Sequence, residues 1–138
     1  MSDSRQETLF LLFRCGEASY ALDCADVVEI LPRLRLQPTG RFDFRGRPVP
    51  VADIPLMLTG KPAADIMITR IVILRGDGKA TGMVGIIVER AVETARGTAS
   101  GAATTNGPLP LRGPALISDR RIPLVDVPAL ADSIVRAS

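Results

Sequence analysis

Apolar and polar positions alternate along most of this chain with the period of two that sends successive side chains to opposite faces of a strand. Residues 9–13 and 20–22 are short apolar stretches on either side of a polar turn at 16–19, which predicts a hairpin. Residues 24–31 predict a short helix or an irregular strand that ends at Pro32, and 33–40 a loop. Residues 41–44 alternate charge with Phe42 and Phe44, Gly46 turns the chain, and 48–54 form a further strand. After a connector at 58–66, strands are expected at 70–74 and 83–88 around a Gly-rich turn. Residues 97–108 (GTASGAATTNGP) are small, polar and Gly-rich, and read as a mobile loop. Strands at 115–117 and 122–127 flank a turn at Ser118-Asp119. A short helix at 129–135 carries Leu130 and Ile134 on one face.

The same pattern occurs twice. Residues 47–56 read RPVPVADIPL and residues 120–129 read RRIPLVDVPA, a constant offset that matches Arg47 to Arg120, Pro50 to Pro123, Asp53 to Asp126 and Pro55 to Pro128. A second echo joins 9–14 (LFLLFR) to 70–75 (RIVILR), each followed by a polar turn, an apolar stretch and a closing segment, ADVVEI at 25–30 and ERAVET at 89–94. Internal repetition decides the fold before anything else does. It predicts an all-β protein of two pseudo-symmetric small barrels, roughly five short strands each, with short helical segments. The repeat units run approximately 9–58 and 70–131. Each alone would have a marginal core, so the two should pack together along a seam.

Composition narrows the classes. At 138 residues the chain suits one compact domain or two very small ones. No apolar run approaches the roughly 20 residues that span a bilayer. The opening MSDSRQET lacks the basic and apolar regions of a secretory signal, so a cytoplasmic location without membrane insertion is expected. A net charge of +2 does not argue for nucleic acid. Apart from Lys61 and Lys79 the basic residues are Arg, which favours planar contacts at protein interfaces. Cys15 and Cys24 are not placed for a disulfide and, with no His in the chain, make a poor metal site. They read as small buried or half-buried side chains, and no metal or cofactor is expected.

The absence of His also removes the commonest general base. The duplicated Asp53 and Asp126 invite comparison with an aspartic protease dyad. That dyad needs a tight turn after each Asp, whereas here Ile54-Pro55 and Val127-Pro128 follow. Each Asp instead ends a strand and caps the turn or helix after it, with Pro at an early helical position. Arg75-Gly76-Asp77 and Gly76-Asp77-Gly78 with Gly82 spell an adhesion tripeptide and a phosphate loop, but neither has the context its function needs. Pro48 and Pro50 fit an edge strand or bulge better than a polyproline ligand. No catalytic residue is assigned. A small barrel binding nucleic acid or oligosaccharide is the alternative, and it would need basic and aromatic residues clustered on one face.

The motifs meet a family. Residues 40–54, GRFDFRGRPVPVADI, resemble the "G-V-x-N-L-R-G-x-V-x-P-V-x-D-L" signature of CheW-like domains. Upstream, YALD at 20–23 and VVEI at 27–30 resemble that family's "Y-x-I-D" and "V-x-E-I". Downstream, residues 82–88 with Val92, then Gly113 and 121–127, resemble its later segments. The resemblance covers nearly the whole chain in order and implies a single CheW-like domain over 1–138. LLFR, YALD and DFRGRPVPV further resemble adaptors of the Wsp-type surface-sensing branch. The resemblance implies two SH3-like barrels and a non-enzymatic adaptor. Such an adaptor couples the cytoplasmic tips of methyl-accepting chemoreceptors to the regulatory domain of a CheA-type histidine kinase, at receptor arrays on the inner membrane. Carried over, the receptor-binding groove takes Val27 and Ile30 as apolar surface, Glu29 as an edge carboxylate, Arg45 as a projecting guanidinium and Gly46 as the residue permitting its turn. In place of the amide of the family's N-L-R-G this chain has Asp43, and an Asp43–Arg45 contact is expected either to compete with receptor contacts or to mark a different receptor. The stretch 31–40 is also shorter than the family's.

Overall fold

The computed structural model of the chain describes residues 7–32, 41–62, 68–76, 82–99 and 108–137. The expected loop at 33–40 and the Gly-rich turn at 77–81 lie outside them, as do 63–66 of the connector with Met67, and 100–107 of the low-complexity stretch. In chain order the strands are β1 (Thr8–Cys15), β2 (Ala18–Asp23), β3 (Val27–Pro32), β4 (Arg41–Phe44), β5 (Arg47–Asp53), β6 (Thr69–Leu74), β7 (Val84–Ala99), β8 (Leu111–Ile117) and β9 (Arg120–Val125). A 3-10 turn (Cys24–Asp26) joins β2 to β3. Helix α1 (Ile54–Thr59) follows β5, and α2 (Val127–Ala137) follows β9.

Strand pairing sorts these into two SH3-like barrels of five strands. In the first, β1 pairs with β2, β2 with β9, β9 with β8, and β8 with the C-terminal part of β7, which returns to β1 and closes the ring. In the second, β3 pairs with β6, β6 with the N-terminal part of β7, that part with β5, and β5 with β4. Each sequence repeat therefore lends its first hairpin to the barrel of the other. The second barrel is contiguous in sequence, and the first is built from the strands on either side of it.

One long strand serves both barrels. β7 passes from one to the other through an irregularity in which Arg14 faces Glu89 but Leu12 faces Glu93, so four residues of β7 span two of β1. Arg90 lies inside it at φ 50°, and its N–H donates to the Ile68 carbonyl at 2.9 Å. The expectation of a loop from 97 is corrected at its start: β7 continues to Ala99 and pairs with both β1 and β8. Gly97 is needed there because a Cβ would lie 2.2 Å from the Leu116 carbonyl oxygen.

Alternation explains the three cores. In β4, Phe42 and Phe44 are buried while Arg41 and Asp43 are exposed. They fill the second barrel with Val49, Ile71, Ile73 and Ile87. The first barrel holds Phe10, Ala21, Ala115, Ile117, Ile122 and Leu124. The opposite faces of the two exchanged hairpins meet between the barrels. Leu11, Phe13 and Leu22 pack there against Val72, Leu74 and Ile86. Both helices close this seam, α1 with Ile54 and α2 with Val127, Leu130, Ala131 and Ile134. The seam is the largest of the three clusters, as expected when each barrel is too small to stand on its own interior.

The repeated Asp residues act as expected. Asp53 Oδ1 accepts the Leu56 N–H at 3.0 Å and Asp126 Oδ1 accepts the Ala129 N–H at 3.2 Å, each at the start of a helix. Of the turn or helix expected after Asp53, the helix is the one formed, as α1. Asp53 and Pro55 start it, and Gly60 at φ 80° ends it with an N–H to the Leu56 carbonyl. Pro48 and Pro50 sit where β5 has only β4 beside it, because pairing with β7 begins at Val51. Cys15 is buried, Cys24 half-buried, and both are free thiols. Burial, with the Glu89 carboxylate nearby, pushes the Cys15 thiol up to about 12.

Candidate functional site

β3 and the β4–β5 hairpin together carry the residues of interest. β3 leaves the 3-10 turn at Val27, and its alternation is irregular because register shifts against β6 between Val27 and Glu29. Val28 and Leu31 turn into the second barrel, while Val27 packs half-buried against the seam. Glu29, its side chain 35% exposed, pairs with Ile73, while Ile30 points to the opposite face, across from Val72, and is 38% exposed, a large apolar side chain turned to solvent. Val27 is thus shared between packing and surface, whereas Ile30 has no packing role that accounts for it.

The β4–β5 connection is a two-residue turn. Phe44 pairs with Arg47, and between them Arg45 and Gly46 adopt φ 53° and 82°. Positive φ at both central residues is the type I′ geometry that matches strand twist. Gly46 enters it without steric cost, while Arg45 does not. The β8–β9 hairpin has the same geometry at Ser118 and Asp119, φ 49° and 64°, at the same place in the repeat. The turn is therefore an inherited feature of the unit, and at Arg45 it holds a bulky side chain in the left-handed region.

Arg45 reaches across to β3. Its Nη2 donates to Glu29 Oε1 at 2.6 Å, and its guanidinium lies 4.8 Å from the Phe44 ring centroid. The contact expected with Asp43 is not the one formed. In β4 successive side chains point to opposite faces, and the I′ turn carries Arg45 towards β3. An ion pair whose side chains are 71% and 35% exposed contributes only ~0–1 kcal/mol to stability. The left-handed backbone at Arg45 costs about 1–2 kcal/mol. Stability alone does not account for an arginine here, and such outliers gather at functional sites. The structure thus brings Glu29 and Arg45 together beside Gly46, on the face of β3 where Glu29 pairs with Ile73, and leaves Val27 and Ile30 on the other face, opposite Leu74 and Val72 of the seam. It makes Glu29 the carboxylate that fixes Arg45, a pairing across 16 positions that no local pattern announced.

The aromatic side chains form no exposed cluster. All four Phe are buried, and Tyr20 is half-buried and stacked on Phe13 at 5.5 Å. The stacking platform that a nucleic-acid-binding barrel uses is missing. Among the described residues no helix is long and apolar enough to cross a membrane.

Comparison with known proteins bears on the family and the fold. The sequence model of the CheW-like domain matches residues 9–135. Among solved structures, the scaffolding protein TtCheW from Thermoanaerobacter tengcongensis superposes with a TM-score of 0.67 at 20% identity, over 92% of this chain and 89% of that one. Comparison with curated protein sequences gives no match.

Proposed function

Because this chain belongs to the CheW-like domain family, we propose that it is a non-enzymatic cytoplasmic adaptor that couples methyl-accepting chemoreceptors to a CheA-type histidine kinase. The observation that carries this reading is the Arg45–Glu29 pair, exposed, held on a left-handed turn and adjacent to solvent-facing Ile30. A receptor's helical hairpin would lay its apolar face on Val27 and Ile30, the helix-in-groove mode of recognition. Arg45, already oriented by Glu29, would offer its remaining guanidinium donors to receptor oxygens. The kinase regulatory domain would be engaged elsewhere on the barrels. The resemblance to Wsp-type adaptors extends the proposal to a surface-sensing pathway.

Co-sedimentation with a receptor cytoplasmic fragment and the kinase regulatory domain from the same genome tests the reading. The chain should bind both. Arg45→Ala and Glu29→Ala should weaken receptor binding by about tenfold or more, in the range of interface anchors, with kinase binding and thermal unfolding nearly unchanged. Binding to neither partner would sink the coupling role. Equal loss of folding in both variants would sink the site assignment.

A further inference from the structure

The inward-facing rows of the first barrel do not stay apolar to their ends. On β1 the row runs Phe10, Leu12, Arg14, and on β9 it runs Leu124, Ile122, Arg120, alternate residues sharing one face. The pairings Arg14↔Ser19 on β2 and Ala21↔Leu124 between β2 and β9 put both arginines at the same mouth of the ring. β7 reaches that mouth with Glu93, cross-strand from Leu12, and with Arg90. These side chains surround a cavity of about 270 Å³. Leu12 and Ile122 line it as apolar residues, and Arg14, Arg90, Arg120, Glu93 and Ser19 as polar ones.

The mouth is open to solvent, its three arginines and Glu93 all exposed, and three features mark it. The guanidiniums form no ion pair among the described residues. Glu89, which faces Arg14 across the strands, is engaged elsewhere, its Oε1 accepting the Gly16 N–H at 2.8 Å. Arg90 is held at φ 50° inside the irregular stretch of β7, a device that re-aims side chains. Three like charges thus line one concavity with Glu93 as its only lining carboxylate, an excess of positive charge that an anion entering it would offset.

We propose that this mouth is a binding site for a phosphate monoester. Guanidinium forks match phosphate oxygens bidentately. Among the residues that line the cavity, three arginines against Glu93 leave two positive charges, which suits a phosphate monoester at about −1.5 to −2 near neutral pH better than a single carboxylate, with the Glu89 charge opposite Arg14 lying outside the lining. The cavity is smaller than the ~300–1,000 Å³ of sites that engulf a drug-sized ligand, so it takes the charged group and leaves what it is attached to outside.

The test is titration of the full chain at low ionic strength with inorganic phosphate, with a phosphoserine peptide and with acetate, following arginine side-chain NMR signals and heats of binding. Phosphate and phosphopeptide should bind saturably, and acetate at least about tenfold more weakly. Arg14→Gln and Arg120→Gln should each weaken phosphate binding by about tenfold, the loss of one charge-assisted pair. Glu93→Gln should tighten it, and Arg136→Gln, on α2 and paired with Asp132, should change nothing. A phosphopeptide that binds more tightly than phosphate assigns the group to a phosphorylated side chain, and equal binding assigns it to a free small phosphate. Either supports the site. Acetate binding as well as phosphate, an Arg136→Gln effect equal to that of Arg14→Gln, or no saturable binding overturns it.

Discussion

Asp26 stands where the chain first crosses from one barrel to the other, and its backbone carbonyl accepts the Arg75 N–H at 2.9 Å. Burial pushes its carboxyl above the ordinary value, and the Asp23 and Asp126 carboxylates add to the rise against the opposing pull of Arg112 and Arg75. A carboxyl raised on folding favours the protonated folded state. Its contribution is therefore fully present below the unfolded value of 3.8 and is lost as pH rises through the higher folded one. Asp26→Asn should consequently raise the unfolding free energy at pH 7, and the gain over wild type should shrink as pH falls through the folded value. Denaturant titrations at a series of pH values check this, and a gain independent of pH would refute it. Arg45 shows what sequence could and could not reveal at this scale. Its candidacy was legible from the motif around it, but its left-handed backbone was not, since arginine carries no turn preference. Its partner was misread because the nearest acid in sequence, Asp43, points to the other face of β4.

The duplicated Pro-Asp strands are the elements most fully readable from sequence. Alternation gave β5 and β9, and the Asp at the end of each gave the cap. The predicted strand at 122–127 overran β9 by two residues because Asp126 and Val127 already belong to the helix start. Asp126→Ala should cost about 1 kcal/mol through the lost cap, while Asp126→Asn, which can accept the same N–H, should cost much less. Equal losses in thermal unfolding would mean that the charge, and not the hydrogen bond, matters. β7 was the element least readable. Its stretch at 97–99 is Gly-Thr-Ala, a composition that suggests a loop, and pairing on both sides overrides that preference. The arginines of the barrel mouth were visible only as strand ends, because their convergence depends on strands that are neighbours in space and not in sequence.

At the scale of the molecule the seam holds the two barrels to one fate. Phe13 is fully buried in it, on a hairpin of the first barrel that packs against the second. Phe13→Ala should cost about 3–5 kcal/mol and lower the stability of both barrels in a single transition. Separate transitions for backbone amides of β4 and β8, followed by hydrogen exchange, would show that the barrels unfold independently. The repeat announced two such barrels, yet it could not announce that they exchange hairpins, since pairing partners leave no mark in a single sequence. That exchange also orders events during synthesis. The second barrel is contiguous and can assemble once β7 begins to emerge. β1, made first, pairs at its start with Gly97. At about 5–20 residues per second the ribosome needs roughly 4–18 s to deliver that partner. For most of that interval both barrels are incomplete, and the apolar leading hairpin has nothing to close against.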